Sequence, residues 1–223
     1  MSLTHLGIIA DGNRRWAKEN NLPKIEGHKQ GLKAIEELVG AAAQAGIPYI
    51  TFYVFSTENW GREKSEVDYI MKLAETRILK MAEKMAANNI RLLILGSRGK
   101  VNPTLTSLAE KAEKITEGCT GTTACFCFNY GGEQEIADAA NIAIEADDEI
   151  TPETIRKHLY HPEIPDLDMV VRSSGEERLS GFMLWRAAYS ELMFIEKYFP
   201  EMKASDMKMI LEEYESRHRR FGK

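Results

Sequence analysis

Short apolar runs alternate along this chain with longer stretches whose apolar residues recur at helical spacing. Residues 5–10 form an apolar run without polar alternation, as expected of a strand buried on both faces. Leu32, Ile35, Leu38, Val39 and Ala42 then fall on one helical stripe, which the glycine stop at Ala45-Gly46 and Pro48 ends. Residues 49–55 are aromatic and β-branched and predict the second strand. In 66–88, Val67, Ile70, Met71, Ala74, Ile78, Met81, Ala82 and Met85 mark one broad face of a long helix. Further strands are predicted at 91–95, 122–128, 168–172 and 191–195. Helices are predicted at 103–117, 133–146, after Thr151-Pro152, at 182–189 and at 204–221.

This alternation predicts an α/β fold: one domain over 1–223, with a mainly parallel sheet of about six strands and helices on both faces. No internal repeat, low-complexity segment or linker divides the chain. At 223 residues, 43% hydrophobic and 28% charged, the composition is that of an ordinary globular domain with a sizeable core. No apolar run is long enough to span a membrane, and no secretory leader is evident. The net charge of −5 argues against a general nucleic-acid binder. Cys119, Cys125 and Cys127 lack metal-type spacing. The second and third alternate along a strand and are expected on one face, in a reduced cytoplasmic protein.

The polar motifs follow the strands, where ligands collect in parallel sheets. Behind the first strand stands Asp11-Gly12-Asn13-Arg14-Arg15-Trp16. A carboxylate, a glycine that lets backbone approach, free N–H groups and two guanidiniums suit a metal-bound phosphate, with Asp11 on Mg²⁺. Alone, Asp-Gly-Asn reads as a turn. Four further motifs join it: Gly27-His28-Lys29-Gln30-Gly31; Phe55-Ser56-Thr57-Glu58-Asn59-Trp60 with Arg62 and Glu66; Asn129-Tyr130-Gly131-Gly132; and residues 172–180, reading RSSGEERLS, with Trp185 and Glu191 beyond. Together, and in this order, they closely resemble the cis-prenyltransferases, the undecaprenyl diphosphate synthase family.

The resemblance implies an enzyme that joins isopentenyl diphosphate to an allylic diphosphate, with farnesyl diphosphate preferred and undecaprenyl diphosphate as the product. It implies Mg²⁺, a hydrophobic product tunnel, a homodimer, and transient contact of the lipid product with a membrane surface. Asp11 matches a catalytic, metal-binding aspartate. Gly12, Asn13, Arg14 and Arg15 match the allylic diphosphate cradle, flanked by Trp16. His28 matches a phosphate-binding histidine with a share in proton movement. Asn59 matches the residue assigned to proton acceptance, although a neutral amide is a poor base and is better suited to orienting a proton. Lys24, Ser56, Thr57, Glu58, Trp60, Arg62 and Glu66 line the substrate site by resemblance. Arg172, Arg178, Leu179 and Ser180 match the second diphosphate site. Glu191 matches a second metal carboxylate, given across the dimer, and Arg220-Phe221-Gly222 matches a tail that reaches the neighbouring site.

Several positions depart from the family's pattern. Lys24 stands for an arginine, Glu63 for a proline that would stiffen the loop, Gly181 for an asparagine and Arg186 for a glutamine. Val54 and Phe128 stand where smaller residues are frequent, so a short- or medium-chain product is a competing expectation. A catalytically silent partner subunit is another, against which the retained Asp11, Asn59, Arg172, Arg178, Ser180 and Glu191 argue. A nucleotide-phosphate hydrolase lacks support, because no GxxxxGK[ST] loop is present.

Overall fold

A computed structural model describes residues 2–97 and 99–217. The expected tail Arg220-Phe221-Gly222 lies outside them. Among them, six strands form one sheet in the order β3-β4-β2-β1-β5-β6, every neighbouring pair parallel. They are β1 (His5–Ile9), β2 (Tyr49–Ser56), β3 (Arg91–Leu95), β4 (Thr123–Tyr130), β5 (Met169–Arg172) and β6 (Glu191–Phe194). Among the described residues, seven α-helices connect and cover them: α1 (Asn13–Glu19), α2 (Lys24–Gln44), α3 (Lys64–Ala87), α4 (Pro103–Thr116), α5 (Gly132–Glu145), α6 (Pro152–His158) and α7 (Asp206–Ser216). Among the described residues, no helix is long and apolar enough to cross a membrane.

Successive strand residues point to opposite faces, and both faces are buried, which is why the strands read as unbroken apolar runs. Leu6, Ile8, Ile50, Phe52, Leu92, Ala124, Phe126 and Val171 pack with α2, α3 and α7 on one face. Ile9, Tyr53, Leu93, Cys125, Cys127 and Val170 face the other way, against Leu167, Phe182 and Met183. The two strand cysteines therefore share a face, as their alternation required.

Two local expectations change. Residues 182–189 form consecutive turns rather than a helix. Met183 holds a positive φ of 41°, and Arg186 is drawn into the interior, where its Nη1 meets Glu135 Oε1 at 2.7 Å. That buried pair fixes the segment through tertiary contacts, which local periodicity does not reveal. Helix α2 begins at Lys24, eight residues before the first residue of the predicted stripe, so His28 lies inside its second turn.

Order along the sheet places the functional end. β1 and β2 are neighbours, but after β4 the chain crosses to the other side of β1 to form β5. Chain direction thus diverges between β1 and β5, opening the crevice where parallel sheets take ligands. Ile9 and Arg172 are register partners at its edge.

Candidate active site

The crevice is built around Asp11. Directly after β1, its Oδ2 accepts from Arg172 Nη2 at 2.9 Å and its Oδ1 accepts from the Gly12 N–H at 2.6 Å. Arg15 Nη2 stands 3.5 Å from Oδ1. Burial pushes the Asp11 carboxyl up, but the Arg172 hydrogen bond, the Gly12 N–H and the charges of Arg172 and Arg15 together hold it below the ordinary carboxylate value. Asp11 is therefore an anion at neutral pH. Gly12 has φ +96°, and a Cβ there would lie 2.6 Å from the Tyr198 ring and 2.9 Å from Ser174 Cβ. Only glycine fits both the backbone angle and the space.

Arg172, fully buried at the end of β5, is the hub between two loops. Its Nη1 donates to the carbonyl of Arg178 and to Ser180 Oγ, the latter at 2.8 Å. Arg15 reaches the same loop from α1, donating to Ser174 O and Ser174 Oγ and pairing with Glu176 Oε1 at 3.0 Å. Glu176 also holds Arg178 Nη1 at 2.5 Å. Ser174, Gly175, Ser180 and Gly181 all have positive φ, a concentration of uncommon backbone in one short loop. Leu179 packs beneath it against the apolar cluster of β4 and β5.

A second group gathers around Glu66, in the first turn of α3. Its buried carboxylate accepts from His28 Nε2 and Arg62 Nη1, both at 3.1 Å, and faces Arg14 Nε at 3.7 Å. Three cations or potential cations from α1, α2 and the loop before α3 thus meet one anion. Burial draws the His28 pKa below its usual 6.5 against the opposing pull of Glu66, so the ring is neutral at pH 7. Beside it, a Cβ on Gly31 would stand 2.5 Å from Asn13 Oδ1, so the second motif packs directly on the first.

The turn after β2 supplies the remaining motif. Asn59 Oδ1 accepts the Ser56 N–H at 3.2 Å, closing a capping box over the 3₁₀ turn Thr57–Gly61. Thr57 Oγ1 donates to Glu58 Oε1 at 2.8 Å, and Trp60 Nε1 donates to Asn129 Oδ1 at 2.7 Å. Gly131 closes against Thr57, so the fourth motif backs the third. Trp16 lies half-buried on α1, its carbonyl engaged by Asn20. Lys24 and Glu63, both departures from the family's pattern, pair with each other at 2.9 Å across the mouth.

An apolar cavity of about 160 Å³ opens from this site. Asn13 and His28 stand at its polar end, and Ile35, Val54, Ile78 and Phe128 are among its walls. Val54 and Phe128 are therefore lining residues, as their positions suggested. Among the described residues, three buried side-chain polar atoms lack a hydrogen-bond partner: Asn13 Oδ1, Glu66 Oε2 and Arg172 Nε. All three belong to this site. Orphaned polar atoms are costly in a folded interior and rare without a role.

Glu191 does not join Asp11 within the chain. It opens β6, in register with Met169, and its carboxylate takes Arg217 Nη1 at 3.2 Å. Asp11 lies two strands across the sheet and beyond the opposite end of the strands, roughly 16 Å further along the strand direction at about 3.3 Å per residue. Sequence reasoning passed over Ser173, Ser174 and Tyr198 as individual site residues. Ser173 Oγ accepts the Asp11 N–H at 3.0 Å, and the Tyr198 ring lies 5.7 Å from the Arg15 guanidinium. The serines stood inside a recognised motif; Tyr198 had no local signal.

The site thus combines an anionic carboxylate, an array of guanidiniums and an apolar cavity. Comparison with known proteins agrees. A family model described as "Putative undecaprenyl diphosphate synthase" matches residues 9–222. An isoprenyl transferase of Agrobacterium fabrum is 43% identical, covering 98% of this chain and 91% of that protein. One of Thermotoga maritima is 40% identical over 98% and 96%. Among solved structures, lavandulyl diphosphate synthase from Lavandula x intermedia, in complex with dimethylallyl diphosphate, superposes with a TM-score of 0.94 at 29% identity over 99% and 98% of the chains. A probable undecaprenyl diphosphate synthase from Campylobacter jejuni superposes with a TM-score of 0.86 at 31% identity over the whole of both chains. This chain belongs to the cis-prenyltransferase family and is a prenyl-transferring enzyme.

Proposed function

We propose that the chain condenses isopentenyl diphosphate with an allylic diphosphate, farnesyl diphosphate preferred, to give a cis-polyprenyl diphosphate such as undecaprenyl diphosphate. The observation that carries this reading is the set of three orphaned polar atoms, on Asn13, Glu66 and Arg172, beside an apolar cavity that Asn13 lines itself and that Glu66 meets through its bond to His28. In each cycle the allylic C–O bond breaks, its carbon bonds to the terminal alkene carbon of isopentenyl diphosphate, a proton leaves, and diphosphate departs.

Gly12, Asn13, Arg14, Arg15 and His28 hold the allylic diphosphate, with N–H and guanidinium donors aimed at the charge that grows on it. Glu66 keeps Arg14, Arg62 and His28 facing that anion. Ser56, Thr57, Glu58, Trp60 and Lys24 shape the entry. Asn59, its oxygen already engaged, offers amide hydrogens that orient a diphosphate oxygen as proton acceptor. Arg172, Arg178 and Ser180, with Leu179 beneath, hold isopentenyl diphosphate. Mg²⁺ fits Asp11, because this ion is commonly held by one or two carboxylates together with substrate phosphates. When bound, it would neutralise charge on the departing diphosphate. Glu191 of the partner subunit is the second carboxylate of a homodimer, a reading supported by its place at the far edge of its own sheet. The unpaired cysteines accord with a reduced cytoplasmic setting.

A shorter product is the second reading, favoured by the bulk of Val54 and Phe128 in a cavity of about 160 Å³. Labelled isopentenyl diphosphate and Mg²⁺, incubated with dimethylallyl, geranyl or farnesyl diphosphate separately, decide between them. A long ladder from farnesyl diphosphate is expected. A product stopped after one or a few additions establishes the shorter reading, and no product with any primer removes prenyl transfer by the chain alone.

A further inference from the structure

We propose that Asn129 is a positioning residue for prenyl transfer: it holds Trp60, and through Trp60 the turn that carries Asn59 and leads to Arg62, in the place the allylic substrate requires. The inference rests on the prenyl-transfer reading above. Asn129 opens the fourth motif, to which that reading gives no task. Pairing of β2 with β4 passes over it, since Phe55 is in register with Phe128 but Ser56 with Tyr130. Asn129 is therefore the extra residue of a β-bulge, a device that re-aims a side chain beside a site. Its φ is +49°, a backbone angle that asparagine adopts more readily than most residues. The residue is only 2% exposed, so its amide depends on partners within the protein.

Both ends of that amide are used, and the partners leave it one orientation. Oδ1 accepts from Trp60 Nε1 at 2.7 Å, and an indole N–H is a donor only. Nδ2 donates to the Ser97 carbonyl, an acceptor only. The backbone adds a second tie, the Ser97 N–H on the Asn129 carbonyl at 3.1 Å. Gly96 makes that approach possible, because a Cβ there would lie 1.9 Å from the Phe128 oxygen. One residue thus joins the segments that leave β2, β3 and β4. Trp60 stands edge-on to Phe55 at 5.2 Å. Asn59 closes the near end of the 3₁₀ turn on Ser56, and Trp60 closes its far end on Asn129. The loop assigned to isopentenyl diphosphate is held separately, by Arg172 from β5. Loss of the Asn129 amide is therefore felt on the allylic side.

The test measures steady-state constants for Asn129→Gly in the wild-type and the Trp60→Phe backgrounds, with NMR spectra of the tryptophan indole N–H groups. Glycine accepts the positive φ and removes both side-chain bonds. Asn129→Gly is expected to raise KM for the allylic diphosphate about tenfold in the wild-type background and by less than about twofold in the Trp60→Phe background. KM for isopentenyl diphosphate is expected to stay within about twofold in both. The Trp60 indole signal, identified by its absence in Trp60→Phe, should move upfield as its hydrogen bond is lost. An equal cost in the two backgrounds, a matching rise in KM for isopentenyl diphosphate or an unmoved indole signal overturns the role and leaves prenyl transfer standing. If Asn129→Gly does not fold, Asn129→Asp takes its place. Protonated, that side chain offers an acceptor and an O–H donor as the amide does, and burial raises its pKa. Its allylic KM is expected to approach that of the wild type as pH falls from about 8 to about 6. A ratio that does not change with pH overturns the role. Absence of all product from the wild type removes the prenyl-transfer reading and the role with it.

Discussion

Arg172 gives its two terminal nitrogens to different partners, one to Asp11 and one to the loop that carries Arg178 and Ser180. Through that single side chain the proposed metal carboxylate and the proposed isopentenyl diphosphate loop are positioned together. Arg178 itself is largely exposed and held by Glu176, free to swing onto an incoming anion at little cost. Arg178→Ala is expected to raise KM for isopentenyl diphosphate about tenfold and that for the allylic substrate much less. Equal increases in steady-state kinetics would contradict the division into two anion sites. His5 makes a separate prediction, about stability. Burial lowers its pKa to about 4, and its nitrogens engage Pro165 O and Thr51 Oγ1. Because the folded value lies below the ordinary 6.5, the neutral ring's contribution is complete above pH 6.5 and is lost as pH falls toward 4. The loss over that window is about 3 kcal/mol. Thermal melts of wild type and His5→Asn should show the wild type losing more stability between pH 7 and 4. Parallel curves would remove His5 as the source.

At the scale of elements, strands and long helices were legible because burial on both sheet faces and one-sided burial of helices impose different periods. The opening strand, the α3 stripe and the cysteine face all follow from that. Residues 182–189 were not legible in the same way. Their apolar residues mimic a helical stripe, yet the buried Arg186–Glu135 pair and the positive φ of Met183 set the path. The site was legible through motifs rather than periodicity, and the partner of each motif came only from the fold. Lys24 and Glu63, two separate departures from the family's pattern in the sequence, are one ion pair. Glu66 is the element-scale joint, because α1, α2 and α3 meet on it. Glu66→Gln keeps the shape and removes the charge. It is expected to raise KM for the allylic diphosphate about tenfold, or about 1.4 kcal/mol. NMR titration should show the His28 pKa falling further, since Glu66 is the group that raises it. An unmoved His28 titration would sink the joint.

At the scale of the molecule, the sheet order opens one crevice between β1 and β5, and the helices on one face leave an apolar cavity beside it. Charge binding and hydrocarbon binding are therefore adjacent but separately built. Val54→Ala and Phe128→Ala should lengthen the product without altering KM for either diphosphate by more than about twofold. Unchanged product length in both variants would show that these side chains do not set the limit.

The most direct measurement is incorporation of labelled isopentenyl diphosphate by purified wild type and Asp11→Ala, with circular dichroism melts on both. Asp11 is the carboxylate on which both anion sites turn. Substantial incorporation by wild type, a loss of roughly 10²–10³-fold in the variant and a retained cooperative fold are the expected result. Equal incorporation by the two folded proteins would contradict the account at its centre.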